Sequence, residues 1–162
     1  MTNTSLILKM TAYENSAHRV QHFMKVYAFA KTIGEGEGLD VPALHILETA
    51  AIVHDIGIKL AMEKYGSGAG PYQEKEGPAV AEAMLTELGY DKDVIDRVCY
   101  LVGHHHTYNG IDGPDYQILV EADFLVNIHE GGMPADKIIE VEKNIFRTAT
   151  GLALLRAMFP AD

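Results

Sequence analysis

The segment Ala50-Ala51-Ile52-Val53-His54-Asp55-Ile56-Gly57 decides how this chain is read. An apolar run ends on an imidazole and a carboxylate side by side. Leu44, Leu47, Ala51, His54 and Ile58 recur at the spacing of one helix face. His54 therefore continues an apolar stripe, and Asp55 lies next to the same face. A carboxylate in that setting costs on the order of several kcal/mol unless it is paired, hydrogen-bonded or bound to a metal.

Outward from this segment the apolar period stays helical. Val20, Phe23, Tyr27 and Ala30 form one stripe, and Val80, Ala83, Met84 and Leu88 form another that stops near Gly89. Val94, Val98, Leu101 and Val102 follow, then Ile118, Leu119, Ala122 and Val126. Ile138, Val141 and Ile145, with Leu152 to Met158, supply one or two more helices. Glycines punctuate the pattern at 34–38, at 66–70 before Pro71, at 110–113 before Pro114, and at 131–132 before Pro134. No strand alternation stands out, although Leu6, Ile7 and Leu8 fit a short strand, a helix lead-in or a frayed end equally well. The expectation is an all-α bundle of about six or seven helices in a single domain over residues 1–162.

Asp123 repeats the problem posed by Asp55. It falls one turn after Leu119 and one before Val126 and Asn127. Two carboxylates on apolar stripes share one economical explanation, a divalent cation. Imidazole and carboxylate ligands together suit Zn, Fe, Mn, Co or Ni, and Mg is compatible with the carboxylates. His18 and His22 share a helix face at i and i+4, a spacing that fits a metal ligand, a surface pair or a satisfied core histidine. His104-His105-His106 follows the end of the fourth stripe. Protonated histidines there gain from the helix dipole, and consecutive positions point about 100° apart, so one or two of the three face any single site.

Taken together, His22, His54-Asp55 and Asp123, each on a helix and in that order, resemble the HD-domain superfamily of metal-dependent phosphohydrolases. The flanks His22-Phe23-Met24-Lys25-Val26, Ala50 to Gly57 and Glu121-Ala122-Asp123 are similar to the family's motifs, and the likeness runs from about His18 to Asn127. The resemblance implies an HD-type fold and one divalent ion held by His22, His54, Asp55 and Asp123. Some members bind a second ion through two further histidines. One is expected in Tyr72 to Pro78, where this chain has Gln73, with Glu74 or Glu76 as substitutes. The other is expected within His104–His106. His106-Thr107 and its distance from Asp123 are similar to bacterial HD hydrolases that split symmetrical dinucleoside tetraphosphates.

The function this implies is cleavage of a phosphoester in a small phosphorylated metabolite or nucleotide by metal-activated water. Asp55, Lys59, His104 and His105 are the candidate catalytic residues. Lys59 fits a phosphate contact or a solvated helix-end lysine, and His104 or His105 fits a general acid or a group that supports a metal ligand from behind. The alternatives are a two-metal hydrolase of dinucleoside polyphosphates or cyclic dinucleotides, and a metal-containing nucleotide sensor without turnover. The Tyr65-Gly66-Ser67-Gly68-Ala69-Gly70 loop lacks the Gly-Lys-Ser/Thr ending of a P-loop and fits a connector or a lid.

The net charge of −10 over 162 residues disfavours binding to a nucleic-acid duplex, whereas a bound cation inverts the local field for a small phosphate. No apolar run near the roughly 18–20 residues of a membrane span is evident, and the N-terminus has no secretory pattern. Cys99 is the single cysteine, which fits a reducing, cytoplasmic location. The oligomeric state is open, a homodimer included.

Overall fold

The Asp40 side chain accepts a hydrogen bond from Ala43 N at 2.9 Å and so starts the helix that delivers His54. The computed structural model describes residues 3–161 and, among them, is all-helical. The order is α1 (Asn3–Glu14), α2 (Ala17–Gly36), α3 (Val41–Val53), α4 (Ile58–Tyr65), α5 (Gly70–Glu87), α6 (Lys92–Val102), α7 (Pro114–Gly131), α8 (Ala135–Asn144) and α9 (Ala149–Met158). Ser16 caps α2 and Thr148 caps α9, while Pro71 and Pro114 occupy first-turn positions of α5 and α7.

Helix α3 runs through the middle. Leu47 and the unbroken run Thr49 to Val53 are fully buried, against α1, α2, α6 and α7. Phe23, Val26, Ala30 and Ile33 of α2 and Ile118, Leu119, Ala122 and Leu125 of α7 complete the same core. Helix α5 packs on α4 and α6. The helices that bring the candidate ligands together, α2, α3 and α7, thus share this core.

The expected count of six or seven helices omits α1 and α4. Helix α1 resolves the open reading of Leu6–Leu8: it is helical, with Leu6 and Met10 in the core. Helix α4 is separate from α3 because residues 54–57 form a turn. Gly57 is required there. A Cβ at Gly57 would collide with the Gln73 carbonyl and lie 2.7 Å from Gly77 N, so α4 reaches α5 only over a bare backbone. Helix α5 also starts ten residues before Val80, where the apolar stripe begins, and carries Pro78 in its interior. That extension brings Gln73 to the turn after α3.

The 25-residue stretch Val41–Tyr65 is long and apolar enough to cross a membrane by length and composition, which amends the expectation that no such run exists. The turn at 54–57 interrupts it, and 56% of its apolar window is buried inside the protein.

Candidate metal centre

Helix α2 supplies His22, the α3–α4 turn supplies His54 and Asp55, and α7 supplies Asp123. The structure brings these four together. His22 Nε2 lies 3.0 Å from Asp55 Oδ2, 3.2 Å from His54 Nε2 and 3.3 Å from Asp123 Oδ1. His54 Nε2 lies 3.4 Å from both Asp55 Oδ2 and Asp123 Oδ1. All four residues are buried, His54 completely.

The outer nitrogens set the tautomers. His54 Nδ1 is 2.8 Å from the Ala51 carbonyl, and His22 Nδ1 is 2.7 Å from Glu130 Oε1. Both partners accept only, so each Nδ1–H donates outward and each Nε2 turns a lone pair inward. Two lone pairs and two carboxylates then converge with no donor between them. Asp123 Oδ1 is fully buried and accepts no hydrogen bond. An orphaned buried carboxylate oxygen within 3.4 Å of two imidazole lone pairs fits a cation: two N and two O donors are within one ion's reach.

Without a cation, protons take its place. Burial disfavours charge on His22, yet the facing carboxylates of Asp123 and Asp55 hold its pKa up at about 11. For His54, burial is likewise outweighed, by the charge of Asp55 and the contacts of Asp123, and the pKa rises to about 9. Burial opposes ionisation of Asp55 and Asp123, but the facing imidazoles hold both carboxyls below the usual carboxylate range.

Asp55 has a second side. Its Oδ1 is 2.9 Å from His105 Nε2 and 3.7 Å from His106 Nε2. His105 Nδ1 faces the Val102 carbonyl at 3.0 Å, repeating the arrangement of His54. Asp55, His105 and His106 form a second group able to hold an ion, so Asp55 belongs to both. Gln73 stands beside it: its Nε2 donates to the Gly68 carbonyl at 2.7 Å and its Oε1 lies 3.2 Å from His106 Nε2. Neither Glu74 nor Glu76 substitutes there. Glu74 accepts from His106 N and the Thr107 hydroxyl, and Glu76 is engaged by Lys64 and Tyr65.

A pocket of about 270 Å³ opens onto the four residues through His22 and Asp55. His18, Arg19, Phe23, Ile58, Gln73, His106, Asn127 and Glu130 line the rest. Three of the expected catalytic residues, Lys59, His104 and His105, are not among these. Lys59 Nζ donates to the Tyr13 carbonyl at 2.8 Å and sits over the Tyr13 ring, tying α4 to α1. His104 stacks on Tyr100 with ring centroids 4.0 Å apart, and its Nδ1 faces the Tyr100 carbonyl. His105 is fully buried against Asp55, and His106 is the member of the triplet that reaches the pocket.

Glu130, Arg19 and Glu14 escape a reading of the sequence. Glu130 sits one residue before the end of α7 and bridges His22 to Lys25, whose Nζ is 3.2 Å away. Its spacing of seven residues from Asp123 puts both on one face of α7, the one available signal.

The protein-family model described as HD domain matches residues 19–144. Neither a curated protein nor a solved structure matches the chain.

Proposed function

This chain belongs to the HD-domain family, whose members are in general metal-dependent hydrolases, and from that premise we propose that it hydrolyses a phosphoester of a small phosphorylated metabolite or nucleotide. The observation that carries the reading is the convergence of His22, His54, Asp55 and Asp123 around the unpaired Asp123 Oδ1. Those four residues would hold one divalent ion, such as Mn, Fe, Co, Ni or Zn. Such an ion lowers the pKa of water and polarises a phosphoryl oxygen.

The chain's own residues do the rest. Glu130 and the Ala51 carbonyl fix the imidazole rings so that their Nε2 lone pairs stay turned inward. His105 holds Asp55 Oδ1, which keeps Oδ2 directed at His22. His106, at the pocket wall, is the histidine placed to give a proton to a departing oxygen. A reducing, cytoplasmic setting without a duplex or membrane partner belongs to the same reading, which leaves Cys99 a free thiol.

A second reading has its own observation. The Asp55, His105 and His106 group favours a second ion, which would suit cleavage of a phosphoanhydride in a dinucleoside polyphosphate. The experiment is turnover of a chromogenic phosphomonoester, a phosphodiester and a nucleotide panel by chelator-stripped protein reloaded with Mn²⁺. Metal-dependent hydrolysis that Asp55→Ala abolishes is expected. Tight nucleotide binding without turnover of any compound would contradict it and point to a sensor.

A further inference from the structure

Arg19 lies three residues before His22 on α2, hence on the same helix face. Among the described residues it is the one lysine or arginine that lines the pocket. The nearby alternative, Lys59, is committed to Tyr13. The protein shows elsewhere how it satisfies a guanidinium. Arg97 makes four hydrogen bonds of 2.7–3.1 Å to Asp112 and Asp115. Arg19 makes one side-chain contact, 3.4 Å from Nη1 to Glu14 Oε2, with its side chain 31% exposed. Most of its five N–H donors therefore have no partner within the protein, and the residue lines the pocket.

Glu14 is the other half of the observation. Its side chain is fully buried, and its Oε1 has no hydrogen-bond partner. Burial raises its pKa, and Arg19 only partly offsets that. A tight structural ion pair would close these contacts. The pair instead holds Arg19 by one long bond from Nη1, at the pocket edge, and leaves the Nε–Nη2 side of the guanidinium unbonded.

Resting on the hydrolase reading above, we propose that Arg19 is the receptor for a terminal phosphoryl group, so that the pocket selects phosphomonoesters over phosphodiesters, with Glu14 as the residue that positions it. A guanidinium binds two oxygens in parallel. A phosphomonoester carries three non-bridging oxygens and a diester two. With one oxygen turned toward the His22–Asp123 set, a monoester still offers two to the fork, whereas a diester offers one. The dianionic charge of a monoester also matches the added cation.

The test is a calorimetric titration of Mn²⁺-loaded protein with inorganic phosphate, beside kcat/KM for a phosphomonoester and a phosphodiester. Wild type is expected to bind phosphate and to prefer the monoester. Arg19→Gln should weaken phosphate binding by about tenfold or more, leave Mn²⁺ affinity within about twofold, and shrink the monoester preference. Arg19→Lys, which keeps the charge and loses the fork, should restore only part of the binding. The double variant Glu14→Gln/Arg19→Gln removes the stranded buried carboxylate and should match Arg19→Gln in binding, which separates this role from a folding defect. Phosphate binding absent from the wild type, or equal in wild type and Arg19→Gln, overturns the proposal. Arg19-dependent phosphate binding with no turnover of any ester would instead sink the hydrolase reading and leave this site standing.

Discussion

Glu130 Oε1 lies 2.7 Å from His22 Nδ1, joining residues 108 positions apart in the chain. The contact turns one ring so that its other nitrogen meets Asp55 and Asp123. A carboxylate behind a ligating histidine fixes the ring and raises its basicity. Glu130→Gln is expected to weaken Mn²⁺ affinity roughly 10- to 100-fold with the fold intact, as read by competition with a chelator and by circular dichroism. Unchanged affinity would show that His22 needs no such support.

Protons and metal compete at this centre. In the metal-free protein, His22 and His54 titrate at about 11 and about 9, above the ordinary imidazole value of 6.5. Both hold protons at pH 7, and a ligating imidazole must be neutral. Metal binding at pH 7 should then release on the order of one to two protons, and affinity should rise with pH toward 9. Calorimetry in buffers of different ionisation enthalpy reads the number directly. The same shifts set the sign for the stripped protein. Stabilisation from these raised pKa values is complete below about 6.5 and is lost as pH rises through 9 and 11. A thermal melt of stripped protein that rose in that window would contradict the assignment.

The site was legible where physics forces a pattern. Asp55 and Asp123 stand on apolar stripes, and that anomaly alone marks them. Helical periodicity likewise marks α2, α3, α6 and α7. Helix α4 was hidden because its stripe continues that of α3 without a gap: Leu47, Ala51, His54 and Ile58 keep step across a turn that only the packing of Gly57 on α5 reveals. Helix α5 begins ten residues before its apolar stripe, because Gly70 to Ala79 carries too few apolar residues to show a period. Glu130 and Glu14 carry no local anomaly, since each is an ordinary acidic residue until a distant helix is packed against it. Lys59 and His104 showed the reverse. Their proximity in sequence to ligands suggested the pocket, but their side chains are held by Tyr13 and Tyr100.

The turn after α3 can be tested through Gly57. An added methyl group has no room against Gln73 and Gly77. Gly57→Ala should lower stability by about 1–3 kcal/mol in urea unfolding, the usual range for overpacking, and should weaken metal binding with it. A neutral substitution would mean that α4 and α5 separate freely.

The histidine triplet divides by neighbours. His105→Ala removes the buried ring that lies 2.9 Å from Asp55 Oδ1 and should cut hydrolysis more than about tenfold, as loss of the group behind a ligating side chain does. His104→Ala removes a ring stacked on Tyr100 outside the pocket, so kcat should stay within about twofold. Equal losses for the two variants would contradict the geometry.

Calorimetric titration of chelator-stripped protein with Mn²⁺ reads out whether two imidazoles and two buried carboxylates hold a cation. At least one ion should bind per chain, with binding lost in Asp123→Ala and in His54→Ala. Wild-type protein that binds no divalent ion, or an Asp123→Ala variant that binds it as tightly, would mean that these four residues are not a metal site.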